Sequence, residues 1–143
     1  MRFATAALAA LCTLAACVTV NDQRVQSDAG KGWDQPQIRG ALSGQRQLIA
    51  TFYALGFDCT SLGYPTLKVA KAPQHGQVSV EQGTAVAEFG ASDPRKACNG
   101  MSVPSTVVYY ASEPGFTGAD VAAFDRIGVA GAYGYHVYTI NVR

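Results

Sequence analysis

From Gln47 to the end of the chain, apolar residues recur at every second position in short runs, and Gly, Pro, Asn or Asp breaks those runs about every ten residues. A pleated strand turns successive side chains to opposite faces, so this period marks strands that bury one face; a helix needs apolar positions three and four apart. Gln77-Val78-Ser79-Val80-Glu81 shows the pattern, with Val78 and Val80 on one face. His136, Tyr138, Ile140 and Val142 alternate with Tyr135, Val137, Thr139 and Asn141 in a final strand.

Further strands are expected over Leu48 to Ala54, Pro65 to Ala70, Ala85 to Phe89, Ser105 to Ala111 and Val121 to Ile127. Leu48, Phe52 and Leu55 also fit a helical stripe, but Thr51, Phe52 and Tyr53 favour a strand. About seven strands in about 100 residues suit an all-β, immunoglobulin-like antiparallel sandwich, expected over residues 45–143. At 143 residues the chain has room for one such domain.

The first residues read as an address. Met1 and Arg2 precede an apolar run from Phe3 to Ala16 that is too short for a permanent membrane helix, so residues 1–16 are expected to be an export signal. Its end, Leu14-Ala15-Ala16-Cys17, resembles the lipobox of bacterial lipoproteins. That resemblance implies cleavage before Cys17 and acylation of its thiol; with Val18 rather than Asp next, it implies outer-membrane sorting. Several acyl chains on one residue hold a protein stably at a membrane where one chain would not. The alternative is an ordinary secretory signal and a released protein. Residues 17–44, rich in Asn, Asp, Gln, Ser, Gly, Lys and Arg, read as the lipidated Cys and a flexible linker, with Trp33 its largest side chain and docking on the domain expected for it.

The chain has four cysteines, and with Cys12 in the signal and Cys17 acylated, Cys59 and Cys98 remain. Export places them in an oxidising compartment, where a disulfide between them is expected. Buried free thiols, or a reactive thiol with His75 or His136 as base, are the alternatives.

Three segments carry a second resemblance. Ala72-Pro73-Gln74-His75-Gly76-Gln77-Val78-Ser79-Val80, then Tyr110-Ala111-Ser112-Glu113-Pro114-Gly115-Phe116-Thr117-Gly118-Ala119-Asp120, and the closing Tyr138-Thr139-Ile140-Asn141-Val142 resemble bacterial cadherin-like immunoglobulin domains of cell-surface proteins. The residues suit turns and plugs. Gly76 is expected to take a positive φ before the Val78 strand, Pro114-Gly115 to turn, Phe116 to plug the sandwich end, Gly118 to bend the chain and Asp120 to cap backbone amides. The sequence departs from the family pattern at Ser112, where a Pro is usual, at Ala122, where an aromatic is usual, and in the Cys59 and Cys98 pair.

Chemistry is sparse. Asp58, Asp93, Asp120 and Asp125 stand apart, so no calcium is expected, Asp120 and Asp125 being the least implausible ligands; no cofactor is expected either. There is no nucleophile elbow, phosphate loop or dinucleotide fingerprint, so no catalytic residue is assigned. Eleven Lys and Arg against ten Asp and Glu, net +1, give no footprint for nucleic acid. Lys68, Lys71, Arg95 and Lys96 read as scattered solubilising charge, and Tyr109, Tyr110, Tyr133, Tyr135 and Tyr138 as divided between core and solvent, with a binding face the sharper alternative. The expectation is a non-enzymatic cell-envelope lipoprotein, a structural or protein-binding module whose partner is an envelope protein or surface ligand. Its rival is a secreted or periplasmic inhibitor or ligand-binding domain, with the Arg95 to Gly100 loop entering a cleft.

Overall fold

In the computed structural model, which describes residues 36–143, seven strands form two sheets facing each other across a core. The signal segment, Cys17 and Trp33 lie outside the described residues. The strands are β1 (Gln37–Ala41), β2 (Arg46–Phe52), β3 (Thr66–Lys71), β4 (Gly76–Val86), β5 (Ser102–Ser112), β6 (Gly118–Ile127) and β7 (Tyr133–Val142), with a short 3-10 helix at Pro94–Cys98. One sheet has the order β1-β7-β6-β3 and the other β2-β5-β4. All pairings are antiparallel except β1 with β7. The chain is an all-β sandwich whose β2-β5-β4 and β3-β6-β7 groupings follow the immunoglobulin-like plan. No helix among the described residues is long and apolar enough to cross a membrane.

The alternation read in the sequence is the burial pattern. On β7, His136, Tyr138, Ile140 and Val142 are buried, and the last three join Ala122 and Phe124 of β6, Val108 and Tyr110 of β5, and Ile49 and Phe52 of β2 in one core. Val78 and Val80 pack against the same cluster. Ala122 and Phe124, on the same face of β6, are both fully buried.

Two strand expectations are corrected. The segments Gln77 to Glu81 and Ala85 to Phe89 are not separate: β4 runs from Gly76 to Val86 and pairs residue for residue with β5. Gly83, which reads as a break, stays in register because a Cβ there would press to 3.2 Å from Val107, so the missing side chain makes room for that neighbour. The linker assigned to residues 17–44 gives way at Gln37, where β1 begins and pairs with the lower half of β7. Its apolar residue gives no clue: Ile38 is 69% exposed, while Arg39 turns inward over the Tyr138 ring.

A bulge in β2 between Leu48 and Ala50 buries both Ile49 and Ala50. The Ile49 carbonyl it frees accepts a bond from Arg39 Nε at 2.7 Å, which ties the edge strands of the two sheets together.

Candidate functional site

Strand registers place the β3–β4, β5–β6 and β1–β2 turns at one end of the sandwich, the base, and the β2–β3, β4–β5 and β6–β7 loops at the other, the loop end.

The base holds the two sequence motifs, drawn together by Asp120. This carboxylate is buried and takes four donors: the amides of Gln74, His75 and Val121, each at 2.9 Å, and the Tyr110 hydroxyl at 3.0 Å. Burial alone would raise its pKa, but the amide donors and the phenol outweigh it and hold the carboxyl below the ordinary carboxylate value. Burial, then the bond to Asp120, pushes the Tyr110 phenol well above its usual range. The Pro73-Gln74-His75-Gly76 turn therefore hangs on β6. His75 stacks on Phe116, ring centroids 4.2 Å apart, and its carbonyl accepts from the Glu113 amide. Gly115 and Gly118 have positive φ, as expected of turn residues, and Pro114 leads the turn.

Gly76 is a correction. Its φ is not positive; a Cβ there would lie 2.5 Å from the Ala111 carbonyl and 2.7 Å from the Tyr110 ring. Close approach of β4 to β5, not a turn conformation, requires the glycine. Gly76→Ala is expected to cost about 2–3 kcal/mol through a backbone clash, read by urea unfolding. Ser112 is buried and its hydroxyl accepts from the Gly44 amide at 2.8 Å, a bond Pro could not make.

At the loop end Cys59 and Cys98 form the expected disulfide, sequence separation 39. Cys98 is fully buried with Leu55, Ala87 and Val103 in a second small core. The Arg95 to Gly100 segment is pinned at several points. Asp93 caps the 3-10 helix and pairs with Arg95, which draws its carboxyl down to about 2, and the Asn99 amide bridges both backbone groups of Phe89. Lys68 and Lys71 lie apart from this loop, on β3.

Above the Arg39 tie, a groove of about 640 Å³ opens between the sheets. Its walls carry the guanidiniums of Arg39, Arg95 and Arg126, the rings of Tyr53 and Phe89, and two carboxylates, Glu88 and Asp93. The walls are cross-linked by side-chain contacts. Arg95 lies 4.4 Å from the centre of the Phe89 ring, Tyr53 meets Phe89 edge-on, and the Tyr53 hydroxyl exchanges bonds with both backbone groups of Glu88. Sequence reading missed this groove because Arg39 sits in the stretch read as linker, and Arg126 beside it carries no motif.

His136 is buried at the groove floor, edge-on to Phe52, and its Nε2 accepts from Arg126 Nε at 3.2 Å. Burial, then the neighbouring guanidinium, lowers its pKa. The neutral form is the folded form. Below about pH 6.5 the unfolded chain takes up a proton that the folded imidazole resists, so stability is full above that pH and declines as pH falls toward the depressed folded value. Urea unfolding at pH 7 and pH 5.5 is expected to show the wild type weaker at the lower pH and His136→Phe, beside Phe52, nearly unchanged.

Of the tyrosines, Tyr110 and Tyr138 are core, while Tyr133 and Tyr135 face outward. Tyr109 lies on the outer face of the three-stranded sheet under the Arg46 guanidinium, which pairs with Glu81. Asp125 accepts from the Tyr133 hydroxyl, and among the described residues no group of three His, Cys, Asp or Glu is placed to hold a metal. No known protein family, curated protein or solved structure matches the chain.

Proposed function

We propose that this chain is a lipid-anchored cell-envelope lipoprotein, held at the outer membrane through Cys17, that works without catalysis as a single protein-binding module. The observation that supports this most is the groove: three guanidiniums and two aromatic rings on its walls suit an extended, carboxylate-bearing segment of a neighbouring envelope protein. Both histidines are engaged in packing, His75 on Phe116 and His136 with Phe52 and Arg126, which favours scaffold roles over acid-base ones. The convergence of the motif residues on Asp120 supports kinship with bacterial cadherin-like domains. The Arg95 to Gly100 segment, fixed by the Asp93 cap and the Asn99 bonds to Phe89, favours this reading over an inhibitor whose loop must adapt to a cleft.

A photo-crosslinker at Val86, on the groove rim, tests it in the living host. The expected result is a defined crosslink to one envelope protein that Arg126→Gln abolishes, with none from a crosslinker at Lys71. No crosslink from Val86, or the same products from both positions, contradicts it.

A further inference from the structure

We infer that β4 is a strand-pairing edge whose partner is β4 of a second copy of this chain, antiparallel about a two-fold axis at Gln82. The first observation is a difference among the four sheet edges. β1 has five residues and follows Pro36, a bulge breaks β2, and β3 has six residues, a bulge and two lysines, Lys68 and Lys71. Such devices keep further strands from adding to a sheet. β4 has none of them: its eleven residues hold one unbroken register with β5 and include no Pro and no Lys. Among the described residues nothing pairs with its other edge.

The backbone groups on that edge follow from the ladder. The His75 carbonyl accepts from the Glu113 amide, and the Ala87 amide donates to the Met101 carbonyl, just beyond the two ends of the β4–β5 register. Antiparallel bonding alternates, so the odd-numbered residues of β4 bond to β5, while Val78, Val80, Gln82, Thr84 and Val86 turn amide and carbonyl outward. A strand that pairs there extends the three-stranded sheet, and its side chains must match these across the join.

The second observation is that β4 matches its own reverse, which is what a two-fold contact between identical strands requires. Centred on Gln82, Val78 faces Val86 of the second copy, Val80 faces Thr84 and Gln82 faces Gln82. β-Branched side chains therefore oppose β-branched ones, and the two central amides oppose each other. Glu81, the only charge on the strand, faces Gly83, which has no side chain to repel or crowd it, and its carboxylate pairs with Arg46 across its own sheet. Centring one residue earlier would set the two Glu81 carboxylates face to face. Val86, 64% exposed in the single domain, gains Val78 of the second copy as a cross-strand neighbour. Complementarity of this kind selects a second copy over an unrelated strand.

The test uses the mature chain with Cys17→Ser, so that neither the anchor nor the groove enters it, and reads mass by sedimentation over a wide range of concentration. A dimer that dissociates on dilution is expected. Gln82→Pro removes an outward amide while leaving the β5 ladder bonds of Glu81 and Gly83 in place, and is expected to abolish the dimer. Gln82→Lys, at an exposed position that tolerates the change, is expected to weaken the dimer several-fold at low salt and less at high salt, because it sets two ammoniums opposite each other. Gln82→Cys without reductant is expected to give a disulfide-linked pair of chains. Ser79→Cys is not, because its opposite number is Ala85 and the two thiols lie about 20 Å apart along the strands. A wild type that stays monomeric at every concentration overturns the inference; protection of the β4 amides in whole envelopes would then assign the edge to another protein's strand. A dimer unaffected by both Gln82→Pro and Gln82→Lys, or linked as readily through Ser79→Cys, overturns it in favour of a different contact. In the living host the pair adds a product of two chains to the Val86 crosslinks, and Arg126→Gln leaves that product in place, so the groove reading and this one fail separately.

Discussion

Asp120→Ala is expected to destabilise the domain by about 4 kcal/mol, because it leaves the Tyr110 hydroxyl and the Gln74 and His75 amides without their acceptor at the base. For a domain of this size that is a fall in melting temperature of roughly 15–25 °C, measured by calorimetry. Asp120→Asn keeps the shape and one acceptor oxygen but turns an NH2 toward a donor, and is expected to lose about half as much. Tyr110→Phe removes one donor only, and its loss is expected to be about 1–2 kcal/mol. The acid limb carries the same signature. The folded carboxyl lies below its unfolded value near 3.8, so its contribution is complete above that pH and is lost as pH falls through the folded value. If Asp120→Ala melted within a few degrees of wild type, the carboxylate would not be what joins the two motifs.

Breaking the disulfide is the second large effect. Cys59→Ser opens a loop of separation 39, and the chain-entropy relation assigns that closure about 4 kcal/mol. Cys98 stays behind as a buried thiol in the small core with Leu55, Ala87 and Val103, so packing there is largely kept. The melting temperature is expected to fall by well over 10 °C, and reduction of the wild type to give the same shift. An unchanged melting curve on reduction would show that the bond contributes little. The loss should appear first in the segment from Leu55 to Pro65 and in the 3-10 helix, because β2 and β5 remain paired without it.

These two effects rest on residues that the sequence made visible, and the contrast with the groove explains why. Strand period two, turn residues and cysteine parity are local or countable signals, so β2, β3, β5, β6, β7 and the Cys59–Cys98 bond could be read from the chain, while β4 read as two strands. The motif residues Pro73, His75, Gly76, Tyr110, Pro114, Gly115, Phe116, Gly118 and Asp120 could be read as packing devices, yet not how Asp120 joins them, because its bonds to Gln74 and His75 span 46 and 45 positions. Gly76 shows the same limit: a steric need set by a neighbouring strand looks, in sequence, like a turn. β1 was hidden because its buried side is Arg39 and its apolar Ile38 faces out. The groove depends on that strand and on Arg126, brought together with Arg95 only by folding, so no spacing in the chain announces it.

The central claim is an anchored, disulfide-closed binding module, and the intact mass of the protein recovered from membranes of a host that processes lipoproteins tests it most directly, taken with and without reduction and thiol labelling. The account predicts a chain beginning at an acylated Cys17 that takes no label until it is reduced, and then takes two, on Cys59 and Cys98. An unacylated chain in the soluble fraction would contradict the anchor, and labelling before reduction would contradict the closed bond.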